Sequence, residues 1–112
     1  MQDITPQNFP NDSERTVIAS AKNEDIAYFL TTFDDNDWLW KLDFTNGNFD
    51  WTNLTNNIPE FDVELGEFDT QGSFNMLVEI DPENSDIVYL GGTNLFRSND
   101  GFTTDRNTKW IG

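Results

Sequence analysis

Apolar and polar positions alternate along this chain in short runs, and clusters of Asp, Asn, Gly and Pro separate the runs. The clearest run is Trp38 to Phe44. Trp38, Trp40, Leu42 and Phe44 fall on one side, and Leu39, Lys41 and Asp43 on the other. A period of two predicts a strand with one aromatic face. Arg15 to Ala21, Ile26 to Thr32 and Phe49 to Leu54 are three further predicted strands. The turns between them are Lys22 to Asp25, Asp34 to Asp37 and Thr45 to Asn48. The last of these carries Asn46-Gly47, a strong hairpin signal. A second set of four follows at Phe74 to Ile80, Ile87 to Leu90, Asn94 to Arg97 and Lys109 to Ile111. No segment sustains a 3.6-residue apolar period, so the predicted fold class is all-β.

The two sets look like copies. Asp25-Ile26-Ala27-Tyr28-Phe29-Leu30 aligns with Asp86-Ile87-Val88-Tyr89-Leu90-Gly91, 61 positions later. In each copy an apolar strand and a polar turn come before this segment. A strand pairing an aromatic with a cation comes after it, Trp40-Lys41 in one copy and Phe96-Arg97 in the other. Each copy ends near a tryptophan, Trp51 or Trp110. Four short strands closed by a Trp predict a blade of the β-propeller type, whose repeats run to about 40–50 residues. The organisation is then an extended lead-in over 1–14, a first blade over 15–54, a connector over 55–73 and a second blade over 74–112. Phe61, Val63, Leu65 and Phe68 alternate within the connector, as in a small extra strand or a loop pinned by apolar contacts. An ordinary antiparallel sandwich with chance similarity between strands is the alternative.

Composition narrows the function. Six Lys and Arg against 21 Asp and Glu give a formal charge of −15. That field repels phosphate backbones and anionic lipid surfaces, so neither nucleic acid nor membrane is an expected partner. Ten Phe, four Trp and two Tyr supply enough apolar area to argue against disorder despite the charge. Cys and His are both absent from the sequence. This excludes disulfides, thiolate nucleophiles, Ser-His-Asp or Cys-His catalysis and ordinary zinc sites. No apolar run approaches the roughly 20 residues of a membrane helix. The first ten residues, MQDITPQNFP, are polar and do not form a signal peptide.

The run Asp81-Pro82, Asp86 to Gly92 and Leu95 to Phe102 resembles the Asp-box (BNR-type) propeller repeat. That repeat occurs in sialidases, in sortilin-like (Vps10) domains and in many secreted bacterial proteins. Its pattern is Ser-x-Asp-x-Gly-x-Thr-Trp. Ser98 and Asp100 match it, Thr103 stands for its threonine, Phe102 takes the glycine position and the tryptophan is displaced to Trp110. Asp43, Gly47 and Trp51 are a degenerate echo in the first copy. Residues 68–76 also look like the lead-in to an inner strand of sortilin-like propellers in bacteria that use type IX secretion. The resemblance implies an extracellular or cell-surface location. It also implies a structural turn at Ser98, Asp100, Gly101 and Thr103, with Trp110 packed beneath it. Hydroxyl and carboxylate groups placed this way bond the amides of their own turn.

Two chemical readings compete with a purely structural one. Clustered loop carboxylates suit a hard cation, and the calcium candidates are Asp34, Asp35 and Asp37, and Asp100 with Asp105. Neither cluster has EF-hand spacing, and a solvated acidic turn is the alternative. Sialidases use an Arg cluster, a Tyr nucleophile and an acid/base carboxylate. Arg15, Arg97, Arg106, Tyr28 and Tyr89 supply those residue types. The equivalent mid-strand places of the two tyrosines argue for packing instead.

The expectation is therefore two four-stranded antiparallel blades, forming part of a propeller or a subunit of an assembled one. No catalytic residue and no obligatory cofactor are assigned. The expected function is a non-catalytic binding or scaffolding module for a protein or glycan, with further blades supplied by a parent chain or by homo-oligomer copies. The alternative is a fragment of a sialidase-like glycoside hydrolase whose catalytic residues lie outside this chain.

Overall fold

A computed structural model describes residues 15–22, 24–33, 36–59, 68, 70 and 75–112, apart from the side chains of Phe33 and Asn46. The lead-in, Asp34, Asp35 and most of the connector, including Phe61, Val63 and Leu65, lie outside the described residues. The described chain is all-β and forms two four-stranded antiparallel sheets. Sheet 1 contains β1 (Arg15–Ser20), β2 (Ile26–Phe33), β3 (Asn36–Asp43) and β4 (Asp50–Asn53), paired in sequence order. Sheet 2 contains β5 (Leu77–Ile80), β6 (Val88–Gly91), β7 (Leu95–Ser98) and β8 (Thr108–Trp110), also in sequence order. The only helical pieces among the described residues are two 3-10 turns, Thr45–Gly47 and Thr55–Asn57. Among the same residues, no helix is long and apolar enough to cross a membrane.

Strand ends depart from the sequence pattern where pairing extends them. Phe33 pairs with Asn36, and Thr32 with Asp37. Asn36 and Asp37, expected in a turn, are therefore strand residues. The Asn46-Gly47 signal does not make a two-residue hairpin. Asp43 pairs with Asp50 across a longer connection containing the first 3-10 turn. Gly47 there has φ +78, and the Asp43 carboxylate accepts the Thr45 amide at 3.0 Å. The Thr45 hydroxyl and that amide hold the Asp43 pKa below the usual carboxylate value.

Register shows how deep the repeat runs. Tyr28 lies between Ala19 and Lys41, and Tyr89 lies between Glu79 and Arg97. The turns are framed alike as well. The Ala21 amide bonds the Ile26 carbonyl as Asp81 bonds Ile87, and the Phe44 amide bonds Asp25 as Gly101 bonds Asp86. The two closing tryptophans are not equivalent. Trp51 pairs with Leu42, whereas Trp110 pairs with Phe96, whose counterpart Trp40 faces Asn53. Trp51 follows Leu42 by nine positions and Trp110 follows Ser98, the counterpart of Leu42, by twelve; the turn before β8 takes up one of the three extra residues and Trp110 lies two places farther along the ladder.

The core lies between the sheets. Tyr28, Leu30 and Leu39 from sheet 1 meet Val78, Ile80, Val88, Leu90 and Phe96 from sheet 2. Burying each such side chain contributes roughly 1.5–3 kcal/mol. Contact between the sheets is concentrated where β5 lies against β1 and β2. The connector helps to close this core. Ile58 and Phe68 join it, Phe68 packing edge-on to Phe96 at 6.3 Å, and the Thr70 hydroxyl donates to Asp37 at 2.7 Å. The aromatic face of β3 points the other way. Trp40 stacks edge-on with Trp51 at 6.3 Å, and Phe29 lies 5.1 Å from Trp51, on the side of sheet 1 away from sheet 2.

Candidate functional site: the Asp100 turn

The turn from β7 to β8 gathers most of the residues singled out by the sequence. Ser98 is fully buried at the end of β7. Its Oγ accepts the amides of Asp100 at 3.2 Å and Phe102 at 2.8 Å, and donates to Asp100 Oδ1 at 2.9 Å. Asp100 Oδ2 accepts from Thr104 Oγ1 at 2.6 Å and Asn107 Nδ2 at 2.9 Å. The Asn99 amide closes the loop on the Asn107 carbonyl at 3.0 Å. Short polar side chains bonding backbone two to four residues away are the local chemistry of such turns.

Two expected members behave differently. Thr103 does not touch the carboxylate. Its hydroxyl donates to the Asp100 backbone carbonyl at 2.6 Å, and the threonine on the carboxylate is Thr104, where the pattern's own spacing puts it. Trp110 does not pack under the turn. It is 53 % exposed, because β8 is an edge strand away from the contact with β5. Phe102 fills that place, fully buried in the core. Gly101 and Phe102 both have positive φ, 63° and 57°. The pattern's glycine position is thus left-handed here, although it carries an aromatic side chain.

Sheet 1 and the start of the connector hold this turn. Tyr28 Oη donates to the Gly101 carbonyl at 3.0 Å, and Asn57 Nδ2 donates to the carbonyls of Phe102 at 2.7 Å and Thr103 at 3.1 Å. Three successive carbonyls of sheet 2's turn are thus satisfied by two side chains, one from sheet 1 and one from the 3-10 turn Thr55–Asn57. Asn57, Thr104 and Asn107 had not been singled out from the sequence, and Phe102 only as the occupant of the pattern's glycine position. Only Phe102 and Thr104 had a signal, since both occupy positions of the Ser-x-Asp pattern.

The electrostatics follow this bonding. Burial raises the Asp100 pKa, but the hydrogen bonds from Thr104, Asn107, Ser98 and the Thr104 amide outweigh it, and the net shift is downward. Burial, then the carboxylates of Asp86 and Asp100, push the Tyr28 phenol well above its ordinary value of 10.0. A depressed carboxylate stabilises the fold above its unfolded pKa of ~3.9 and loses that contribution as pH falls through the lower folded value. Stability of the wild type is therefore expected to fall as acid is added below about pH 4, and Asp100→Asn to flatten that slope. Urea midpoints measured from pH 6 downward check this. Parallel curves for the two proteins would remove Asp100 from the effect.

The remaining candidates are dispersed. Asp34 and Asp35 lie outside the described residues. Asp37 is bonded to Thr70, and Asp100 to its own turn. Among the described residues, no group of three or more acidic side chains converges as metal ligands would. Arg15 begins β1, Arg97 Nε donates to Asn99 at 3.1 Å on β7, and Arg106 is exposed in the turn. A depression of about 450 Å³ lies by Arg15, Asn75, Leu77, Gly92, Asn94 and Leu95, with a single charged residue in its wall. No family model, curated protein or solved structure matches this chain.

Proposed function

We propose that this chain is a non-catalytic binding or scaffolding module, made of two consecutive propeller-type blades of an extracellular or surface protein. Its loops would be presented to a protein or glycan. The observation that carries this reading is that the polar groups fit for chemistry are consumed internally. Ser98 and Asp100 bond each other and their own turn. Tyr28, the residue type of a sialidase nucleophile, is buried and donates to Gly101. A nucleophilic phenol needs a lowered pKa or an adjacent base. Burial and two carboxylates act on Tyr28 in the opposite direction. The blade reading is supported by repeated register, repeated turn-framing bonds, and the first strand of each sheet lying against the other.

Incubation with a fluorogenic sialoside is expected to release no more fluorophore than a protein-free control. Release that scales with protein concentration and disappears in Tyr28→Phe would overturn the reading in favour of a hydrolase. A glycan array read in parallel tests the carbohydrate class of ligand.

A further inference from the structure

Sheet 2 leaves its outer face open, and that face is ordered as two rows across the four strands. One row runs Glu79, Tyr89, Arg97 and Lys109, each the cross-strand partner of the next. The other runs Leu77, Gly91, Leu95 and Ile111, the last joined by the bond from its amide to the Leu95 carbonyl. Leu77 and Leu95 close over Gly91, where an added Cβ would meet them at 3.0 and 3.4 Å, so this row is a continuous apolar ridge. Leu77 and Ile111 at its ends are 39 % and 47 % exposed. Glu79 and Lys109 at the ends of the polar row are exposed, and Tyr89, Leu95 and Arg97 are half-buried. Charge on this face runs against the rest of the chain. Only one of the 21 acids, Glu79, lies on the outer side of these strands, with two of the six cations. Arg97 and Lys109 stand directly opposite one another, an arrangement that destabilises a sheet left to itself. Arg97 Nε donates to Asn99, but the side chains of Glu79, Tyr89 and Lys109 have no hydrogen bond or ion pair among the described residues.

We propose that two copies of the chain pack these outer faces together about a two-fold axis parallel to the strands, between β6 and β7. Such an axis reverses the order of the strands and keeps the rows level. Glu79 then meets Lys109 of the second copy, and the Tyr89 ring meets the guanidinium of its Arg97. Leu77 meets Ile111 of the second copy along the ridge. Symmetry makes each contact twice. The face is therefore complementary to itself in charge and in apolar contact, which is why a second copy is its occupant. Two twisted sheets packed face to face about 10 Å apart, with strands within about 30° of each other, form an ordinary sandwich. An isologous contact of this kind uses up the face and stops at two copies. The inference rests on the register of sheet 2 and goes beyond the binding-module reading.

Light scattering reads the mass at about 0.1 M salt, where a Debye length of about 10 Å limits the repulsion between two copies of charge −15. The wild type is expected to rise with concentration from 12.9 kDa toward twice that mass and no further. Leu77→Asp and Ile111→Asp, both at exposed sites, are each expected to stay monomeric where the wild type dimerises, and far-UV circular dichroism confirms their sheets. Glu79→Lys and Lys109→Glu each set like charges against one another across the contact. Each alone is expected to weaken dimerisation by about tenfold, since the pair is lost twice. The variant combining them restores opposite charges and is expected to recover most of that loss. A folded wild type that stays monomeric up to about 1 mM overturns the dimer and leaves the face to a different partner. Assembly beyond two copies, folded Asp variants that dimerise like the wild type, or a combined variant no better than the single ones also overturns it. None of these results touches the non-catalytic reading, which the sialoside assay tests separately.

Discussion

Phe102→Ala is expected to destabilise the fold by about 3–5 kcal/mol, the cost of removing a fully buried aromatic ring. At roughly 4 °C per kcal/mol for a chain of this length, the thermal midpoint should fall by more than about 10 °C. The ring sits at φ 57, a left-handed value that costs a bulky residue about 1–2 kcal/mol. It persists there because the Phe102 amide is held by Ser98 Oγ, its carbonyl by Asn57, and its ring by the core. Alanine loses the ring and keeps the backbone strain. Glycine loses the ring and relieves the strain. Phe102→Gly should therefore be the milder substitution by about 1 kcal/mol, the reverse of the usual order inside a strand. Urea unfolding of the pair decides it. An alanine variant more stable than the glycine variant would contradict the left-handed turn.

Gly101→Ala is the second large effect, at roughly 2–4 kcal/mol. Alanine at φ 63 is strained, and its Cβ would overlap Tyr28 Oη. Tyr28 is buried, so it can give way only by losing its hydrogen bond to the Gly101 carbonyl. An unsatisfied buried group costs about 1–3 kcal/mol. Tyr28→Phe alone should cost a similar amount by leaving that carbonyl without its donor. The double variant should cost less than the sum, since Phe removes the atom that Ala strikes. A coupling of about 1 kcal/mol or more is expected from groups in direct contact. Strict additivity in a denaturant double-mutant cycle would mean that Oη and Gly101 do not meet.

These substitutions probe features that differ in how legible they were. The alternation of Trp38, Trp40 and Leu42 against Leu39 and Lys41 announced β3, because side chains alternate across a strand whatever it pairs with. Its start at Asn36 was not announced, because strand ends are set by the partner, here Phe33. Ser98 and Asp100 were legible as turn residues, since the bonds of the Ser98 hydroxyl reach only two to four residues along the chain. Thr104, Asn107 and the exposure of Trp110 were not. They depend on the path of a longer loop bent by two successive positive φ angles. Tyr28 and Asn57 reach partners 73 and 45 residues away, and no local pattern encodes such a meeting.

By itself the sequence determined the all-β class, the two sets of four strands, the tandem correspondence of Asp25–Leu30 with Asp86–Gly91, and the acidic field. All of these are properties of spacing, propensity and charge, which act locally or by sum. Only the tertiary structure decided which face of each sheet meets the other sheet. The aromatic side of β3 is buried as its pattern suggests, with Trp40 and Leu42 5 % and 4 % exposed, yet it is Leu39, on the opposite side, that meets sheet 2, while Trp40 packs with Trp51. The physical reason is that a strand with apolar residues on both sides can bury both, and which side meets a given sheet is set by tertiary packing rather than by the strand's own alternation. The same packing turned Tyr28 from a residue type with possible chemistry into the donor that anchors the Asp100 turn.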